Sequence, residues 1–280
     1  MFYLTPWWKI KIGLVSVVDK RGNERRKPIE MKRYKNLWPK VCNIENFKLA
    51  YKNAVKGKKH YTDVRNIEAY GVNKYLEELL EEVSQKRYKV SEYKIFHRIT
   101  GGKDREIFKL PMKDRIVQHA VMNIIEPIFR ENFIKDTYSS IKYKGIHAAA
   151  KRIKYFLRNY DCCYYLSIDI KKCYPSLDKN ILKQKLSKKF KDNDLLWLLF
   201  TIVDSCKNGV PIGNYTSQYF NNFYFSEFDH WLKEQKRVKC YIRYCDNITI
   251  ISKYKYELHA LLKEINIKIS NLNVSIKNDY

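Results

Sequence analysis

Glycine and proline are scarce in this 280-residue sequence, which contains only 9 and 7 of them. Such low counts exclude collagen-like and low-complexity chains. Acidic residues are also few: 30 Asp and Glu stand against 55 Lys and Arg, so the formal net charge is +25. This excess argues against most small-metabolite enzymes and favours a polyanionic partner, of which nucleic acid is the commonest. The alternative is a basic surface that serves only solubility.

The seven cysteines include no Cys-x-x-Cys pair, and their number is odd. This pattern argues against a zinc site or a disulfide framework and favours a reducing, cytoplasmic location. No apolar run approaches the roughly 20 residues that span a bilayer. Lys9 and Lys11 interrupt the apolar start, which lacks the features of a signal peptide. We therefore predict a cytoplasmic protein without a membrane partner.

Aromatic residues are abundant, at 15% of the chain. The chain can therefore bury a sizeable core, and its rings are suited to stacking on bases. The length allows one large domain or two joined subdomains. Basic residues concentrate at the start: residues 1–60 carry 16 Lys and Arg against four acids. A terminal block of one charge often follows a phosphate backbone.

Apolar spacing and turn residues predict most of the secondary structure. A Gly101-Gly102 turn separates two predicted strands, and Asp178 is a predicted N-cap for a helix that ends at Phe190. The apolar run 164–170 predicts a strand that is buried on both faces. The remaining predictions are strands over 93–98 and 106–110, helices over 66–83, 114–133, 147–157, 217–233 and 254–265, and a hairpin over 239–252.

Two acidic residues, Asp169 and Asp246, end predicted strands in the most apolar part of the sequence. A carboxylate in such a place is costly unless a cation compensates its charge. Two carboxylates together would bind Mg²⁺, which prefers oxygen ligands and completes its coordination with substrate phosphates. Two such ions activate an attacking hydroxyl and neutralise a leaving pyrophosphate. The simpler alternative is that each aspartate pairs with one of the many Lys or Arg residues.

Further motifs surround these aspartates in a fixed order. They are Lys103-Asp104-Arg105, the string 114–119 that begins with Asp114 and ends with His119, Tyr174 five positions after Asp169, the loop 209–213 with Ser217, Gln218 and Asn222 after it, and Arg243 before Tyr244-Cys245-Asp246-Asn247. In this order and spacing the sequence resembles a reverse transcriptase over roughly residues 45–280.

The string Ile212-Gly213-Asn214-Tyr215-Thr216-Ser217-Gln218 narrows the resemblance. Most reverse transcriptases have Gln before this glycine and Pro after this serine. With the string 114–119 and Pro127-Ile128-Phe129, the sequence resembles the enzymes of diversity-generating retroelements, within the group II intron and retron superfamily. These enzymes copy a template-repeat RNA with errors at adenines. Because Ile212 replaces an amide, we expect weaker discrimination between substrates.

The resemblance implies an α+β right-hand polymerase fold, with fingers and an antiparallel palm sheet flanked by helices. We expect a basic extension at 1–30, fingers with an N-terminal helical region at 31–160, and a palm at 161–280 that includes a helical region at 179–237. The family continues into a primer grip and a thumb, so we expect a chain that is truncated before the thumb. Met31 is a hypothetical alternative start.

The resemblance also assigns the catalytic centre. Asp169, Asp246 and Asn247 occupy the catalytic positions, and Asp169, Asp246 and the Ile170 carbonyl are the expected ligands of two Mg²⁺ ions, for which Mn²⁺ can substitute. The family has a second aspartate where this sequence has Asn247. An amide oxygen can coordinate a metal but supplies no charge, so we expect reduced metal affinity and activity.

The remaining implied residues bind the nucleotide. Lys103 and Arg105 would hold the triphosphate, because a cationic pair offsets its charge. Tyr174 would exclude a ribose 2′-hydroxyl by bulk, and Gly213 would let the backbone approach the nucleotide closely. Ser217, Gln218 and Asn222 are expected to line the template and nucleotide side, and Ile212 is expected to replace an amide contact to the nucleotide with an apolar one.

The leading hypothesis is thus an RNA-directed DNA polymerase that uses dNTPs, an RNA template, a DNA or RNA primer and a small basic accessory variability-determinant protein. One alternative is a catalytically weak or inactive relative that only binds nucleic acid, as Asn247 and the missing thumb would suggest. Another is a retron or abortive-infection defence reverse transcriptase. Those enzymes usually lack the Ile-Gly-x-x-x-Ser-Gln string.

Overall fold

A computed structural model describes the backbone of residues 14–18, 24–28, 32–100 and 102–277. Side chains are described within 32–277, except those of residues 100, 101 and 103. The predicted triphosphate contact of the Lys103 side chain therefore lies outside the described residues. So do most of the predicted extension at 1–30 and the proposed start at Met31.

Twelve helices and eight strands make up the described part of the chain, and none of these helices is long and apolar enough to cross a membrane. Helices α1–α12 are Trp38–Val41, Ile44–Ala54, Thr62–Tyr70, Val72–Ser84, Met112–Asn132, Ile146–Asn159, Cys173–Ser176, Lys179–Lys189, Asn193–Asp204, Tyr215–Tyr224, Ser226–His230 and Lys255–Ser270. Strands β1–β8 are Leu14–Val18, Glu24–Pro28, Lys94–Thr100, Lys103–Lys109, Thr137–Tyr138, Tyr164–Asp169, Tyr241–Tyr244 and Asn247–Ser252. A π-helical turn, Trp231–Gln235, follows α11.

The central sheet has four strands in the order β5-β7-β8-β6. Strand β8 pairs antiparallel with both β6 and β7, whereas the short β5 runs parallel to β7. The prediction that β6 is buried on both faces was wrong, because β6 is an edge strand. Its first residues, Tyr164 and Tyr165, are 47% and 75% exposed, while Leu166 and Ile168 are buried. Only one face of this strand packs against the core.

Helix α5 connects the N-terminal helices to the sheet region. It packs against α2 on one side and α10 on the other. Phe129 of α5 stacks on Phe223 of α10, with ring centroids 4.7 Å apart. These contacts belong to one hydrophobic cluster that extends from Leu37 to Ile276. The predicted α+β class, with a largely antiparallel sheet flanked by helices, is confirmed.

Two of the predicted helices are interrupted. Gly71 divides the helix predicted over 66–83, because its φ of +100° cannot continue a right-handed helix. The helix predicted over 217–233 ends at Tyr224 and resumes at Ser226. The Ser226 hydroxyl donates to the carbonyl of Phe223 at 2.8 Å, a local bond that competes with regular helix geometry.

Candidate active site

Antiparallel pairing of β6 with β8 places the two conspicuous aspartates at adjoining backbone positions. Asp169, the last residue of β6, lies opposite Asn247, the first residue of β8. Asp246 precedes Asn247 in the tight turn between β7 and β8. The N–H of the buried Ile170 donates to the carbonyl of Asp246 at 3.3 Å. The backbone of the predicted metal ligands is thus joined directly.

A buried arginine fixes the turn that carries Asp246. Cys245 has a left-handed φ of +59°, and its carbonyl accepts a 2.9 Å hydrogen bond from Nη1 of Arg243. Asp229 on α11 holds the guanidinium in a two-pronged ion pair of 2.8 and 2.7 Å, and Asn222 on α10 accepts from it at 2.9 Å. Burial would lower the pKa of Arg243, but Asp229 raises it above its ordinary value. The cation therefore links two helices to the turn.

Asp169 has one partnered and one unpartnered carboxylate oxygen. Oδ2 contacts the ammonium of Lys277, and the Lys277 N–H donates to the Asp169 carbonyl at 2.9 Å. Oδ1 is buried and has no hydrogen-bond partner among the described residues. A buried carboxylate oxygen without a donor is stabilised by a cation. Asp169 therefore fits the metal-binding position expected for it.

Asn247 lies at the solvent-exposed start of β8. Its amide Nδ2 donates to Oδ1 of Asp246 at 3.3 Å, so here Asn247 contacts the neighbouring acid as a donor. Within the described part of the chain, no group of three or more His, Cys, Asp or Glu side chains is arranged to hold a metal. Two carboxylates are consistent with a Mg²⁺ site in which water, a backbone carbonyl and substrate phosphates supply the remaining oxygen ligands.

Tyr174 on α7 lies beside the same turn. Its hydroxyl is 3.3 Å from Sγ of Cys245, and burial raises the pKa of that hydroxyl. The loop before α10 holds its backbone, because Val210 N–H donates to the Tyr174 carbonyl at 3.0 Å. Gly209 packs so tightly there that a Cβ would lie 2.1 Å from this carbonyl oxygen. Tyr174 is thus held against Cys245, the residue that precedes Asp246. Its role in sugar selection stays a prediction.

Gly213 attaches the same loop to strand β4. Phe108 N–H donates to the carbonyl of the half-buried Ile212 at 2.9 Å, and a Cβ on Gly213 would lie 2.6 Å from the Phe108 carbonyl oxygen. The φ of +119° also requires glycine. The close approach that the structure shows is therefore to β4. Arg105 lies exposed on the same strand, directly opposite Arg98 of β3.

The three polar residues predicted along α10 differ in their exposure. Ser217 is buried, Gln218 is exposed, and Asn222 is only 1% exposed. Asn222 accepts from Arg243 through Oδ1 and donates to the carbonyl of Ser139 at 3.1 Å. Both polar atoms of Asn222 are therefore hydrogen-bonded within the protein, and its expected place on the template and nucleotide side stays a prediction.

Sequence reasoning missed the role of Asp229. A signal was available, because Arg243 follows the apolar pair Tyr241-Ile242 in the predicted hairpin, and a buried guanidinium requires an acidic partner. The sequence did not indicate which of the acids would supply it. Tyr241 also donates its hydroxyl to Asp229, as does Thr137 at 3.0 Å. Asp229 is thus the centre of a buried polar network behind the aspartate-bearing turn.

A sheet that carries one aspartate at a strand end and another in the adjoining turn, with helices and a separate two-stranded hairpin, is consistent with the palm and fingers of a polymerase. The family model described as "Reverse transcriptase (RNA-dependent DNA polymerase)" matches residues 98–279, more than half of the sequence. The chain belongs to the reverse transcriptase family.

The curated relatives that the chain matches are distant in sequence. Protein YkfC of Escherichia coli is 24% identical over 151 residues, covering 49% of this chain and 39% of that protein. Nuclear intron maturase 4, mitochondrial, of Arabidopsis thaliana is 26% identical over 147 residues, covering 48% and 18%. This chain thus spans less than half the length of these relatives. Telomerase from Candida albicans, solved with a fragment of telomeric RNA, shares the fold with a TM-score of 0.53 at 12% identity, over 70% of this chain and 43% of that one.

Proposed function

We propose that this chain is an RNA-directed DNA polymerase, in which a primer 3′-hydroxyl attacks the α-phosphate of a dNTP on an RNA template. The observation that carries the proposal is the juxtaposition of Asp169 and Asp246 across β6 and β8, together with the unpartnered Oδ1 of Asp169. The family membership and the net charge of +25 support a nucleic-acid substrate.

Asp169 and Asp246 would hold Mg²⁺, or Mn²⁺ in its place, with help from the Ile170 carbonyl. Bound there, the metal would activate the primer hydroxyl and neutralise the departing pyrophosphate. Asn247 would contribute at most its amide oxygen. Lys277 contacts Asp169 and can neutralise part of the charge of this centre. Arg243 and Asp229 would keep Asp246 in position through the Cys245 carbonyl.

Nucleotide binding is assigned to the surfaces that adjoin this centre. Arg105 and Lys103 of β4 would bind the triphosphate, and Tyr174 would test the sugar. Ile212 and Gly213 belong to the loop that contacts β4 and, through Gly209 and Val210, Tyr174. Ser217 and Gln218 belong to α10, which follows this loop. Of these four, Gly213 and Gln218 are the exposed ones, so they are the better candidates for direct contact.

The finer proposal is error-prone cDNA synthesis in a diversity-generating retroelement, with a template-repeat RNA and an accessory protein as partners. It rests on the string 212–218, and Ile212 provides its test. We expect Ile212→Gln to lower misincorporation opposite template adenines several-fold, whereas Ile99→Gln, at an exposed apolar position in β3, should leave fidelity unchanged. Equal error rates for Ile212→Gln and the parent would show that Ile212 does not cause the misincorporation.

A second candidate function is nucleic-acid binding without catalysis. Two observations favour it: Asn247 replaces an acid and donates to Asp246, and the Lys277 ammonium already contacts Asp169. Both reduce the negative charge available to a metal. The seven cysteines are free thiols, which supports a reducing, cytoplasmic setting for either function.

Primer extension on an RNA template with dNTPs separates the two functions. We expect extension with Mg²⁺ or Mn²⁺, loss of it in Asp169→Asn, and an increase of about tenfold or more in Asn247→Asp, which restores a charged ligand. A silent parent with an active Asn247→Asp variant would indicate a polymerase disarmed at one residue. Inactivity of both, with RNA binding intact, would favour the binding function.

A further inference from the structure

A buried amide outside the site residues assigned above lies between α7 and the aspartate-bearing turn. Asn221 of α10 is fully buried, and both polar atoms of its side chain contact a cysteine. The Cys173 thiol donates to Oδ1 of Asn221 at 3.0 Å, and Nδ2 donates to Sγ of Cys245 at 3.5 Å. These cysteines directly precede Tyr174 and Asp246, respectively. One amide therefore connects the residue expected to select the sugar with the residue expected to bind the metal.

The contacts of this amide continue to the Tyr174 hydroxyl. The hydroxyl lies 3.3 Å from Sγ of Cys245, the same atom that accepts from Asn221. Burial raises the pKa of the Cys173 thiol, so this thiol stays protonated and can donate to the amide. Asn221 and Tyr174 thus share one sulfur atom, and a shift of that sulfur changes the preferred position of the hydroxyl.

Packing alone does not require an amide at this position. Leucine has the same branched shape and no polar atoms, whereas a buried amide is costly unless both of its polar atoms are hydrogen-bonded. The backbone on both sides of Asn221 also needs support, because Lys172 and Cys245 have left-handed φ angles of +46° and +59°. Such conformations of non-glycine residues persist only where surrounding contacts hold them. The amide supplies one contact to α7, which begins after Lys172, and one to Cys245 itself.

We propose that Asn221 is a positioning residue that fixes the Tyr174 ring relative to the turn at Asp246, and thereby sets the preference for deoxyribonucleotides over ribonucleotides. A tyrosine excludes a 2′-hydroxyl by bulk only while its ring stays close to the sugar, and small displacements of such a group have large kinetic effects. This inference rests on the proposed function, because it requires Tyr174 to face the sugar of an incoming nucleotide.

Single-nucleotide primer extension on an RNA template, with dATP and ATP compared, tests the effect on selection. We expect Asn221→Leu to lower the ratio of the two kcat/KM values about tenfold, chiefly through a lower KM for ATP, while kcat for dATP changes less than about twofold. Cys245→Ala, which removes the shared sulfur, should have the same effect, whereas Cys245→Ser keeps a polar partner and should retain most of the preference. A residue that only supports the fold would lower kcat with both nucleotides alike.

Asn132→Leu is the matched control, because Asn132 also uses both polar atoms of its side chain. Its Nδ2 donates to Ser226 at 3.0 Å and its Oδ1 accepts from Lys189 at 3.1 Å, and neither bond involves α7 or the aspartate-bearing turn. We expect a comparable loss of Tm with an unchanged dATP-to-ATP ratio. The double variant Asn221→Leu/Tyr174→Ala should match Tyr174→Ala in this ratio, because Asn221 acts through Tyr174. A further loss in the double variant would overturn this route.

Fluorine NMR tests the positioning without catalysis. The probe is 3-fluorotyrosine incorporated at position 174 of the full chain, observed without nucleotide or metal. We expect Asn221→Leu and Cys245→Ala to move its resonance, and Asn132→Leu to leave it in place. An unmoved resonance in Asn221→Leu would overturn the positioning role, even if the parent is an active polymerase.

The combined outcomes separate this inference from the proposed function. A moved resonance in Asn221→Leu, in a chain that never extends a primer, would reject the polymerase and retain Asn221 as the residue that positions Tyr174. A moved resonance with an unchanged dATP-to-ATP ratio in an active enzyme would overturn the role in sugar selection.

Discussion

At the scale of single residues, the geometry of the aspartate-bearing turn depends on Arg243. This side chain is fully buried, yet it satisfies Asp229, Asn222 and the Cys245 carbonyl at once. A buried ion pair contributes little net stability compared with an apolar pair, but breaking one is expensive because an unpaired charge remains. The network therefore constrains where Asp246 lies more than it stabilises the fold.

We expect Arg243→Met to lower the free energy of unfolding by about 3–5 kcal/mol, because Asp229 would be left buried and unpaired. The double variant Arg243→Met/Asp229→Leu should recover only part of this loss, because the buried Tyr241 and Thr137 hydroxyls lose their acceptor. It should not recover primer extension, since the Cys245 carbonyl still lacks its donor. Urea denaturation measures the first effect. The control is Lys253→Met, which breaks an exposed pair with Asp161 and should leave the stability nearly unchanged. Recovery of full activity in the double variant would contradict a positioning role.

His119 predicts a pH dependence of stability. Its pKa in the fold is lowered to about 4, whereas the unfolded chain titrates near pH 6.5. Between these values the unfolded state binds more protons, so the free energy of unfolding falls as the pH is lowered. We expect His119→Phe, which retains a ring against Tyr215, to remove on the order of 3 kcal/mol of this acid-induced loss.

Urea denaturation between pH 4 and 7.5 measures this effect, and His230 supplies a control of opposite sign. Burial would lower the pKa of His230, but Glu234 and the Asn132 carbonyl raise it. Its contribution is therefore present at low pH and is lost as the pH rises through the folded pKa. His230→Gln should reduce stability chiefly at the acidic end. Parallel pH profiles for His119→Phe and the parent would contradict the assignment.

At the scale of secondary-structure elements, the loop between α9 and α10 joins three parts of the site. Gly209 packs against the backbone of α7, and Gly213 packs against β4. Backbone contacts therefore hold Tyr174, this loop and the β3–β4 hairpin together. A residue with a side chain would not fit at Gly209 or Gly213. The glycines in this loop have a packing requirement in addition to any role in ligand binding.

We expect Gly209→Ala to lower the free energy of unfolding by about 3 kcal/mol or more, because its Cβ would collide with the Tyr174 carbonyl and its φ is +55°. Gly57→Ala separates the two causes, since Gly57 has a φ of +72° but open space around it, and should cost about 1–2 kcal/mol. Gly145→Ala has neither problem and should stay within about 1 kcal/mol of the parent. Thermal and urea denaturation would compare them. Similar losses in all three would show that contact with α7 is unimportant.

Local signals predicted the elements whose causes are local. Asp178 accepts from the N–H groups of Asn180 and Ile181 and begins α8 as expected, and the two strands predicted on either side of residues 101 and 102 pair antiparallel as β3 and β4. Helix α9 was not predicted, although Asp192 caps it before an apolar run. The burial of β6 could not be predicted, because its place at the sheet edge depends on distant strands. For the same reason, the Asp229–Arg243 pair could not be identified from sequence.

At the scale of the whole molecule, the predicted fingers at 31–160 and palm at 161–280 both contribute to the main hydrophobic cluster. The main hydrophobic cluster includes Phe47 of α2, Phe129 of α5 and Ile248 of β8. Even Tyr34 pairs with the end of α8, through hydrogen bonds to the backbone of Lys189 and Lys191. Subdomains that share buried residues in this way are expected to unfold together.

We therefore expect Phe47→Ala, a fully buried change in α2, to lower stability by about 3–5 kcal/mol and to destabilise the distant sheet equally. The opening free energy measured by hydrogen exchange should fall by the same amount for amides in β8 and in α4, because both then exchange through global unfolding. Leu49→Ala, on the exposed side of the same helix, should leave both nearly unchanged. Faster exchange confined to α2 and α4 would instead show that the fingers open independently. The two halves of the core would then be in contact without unfolding cooperatively.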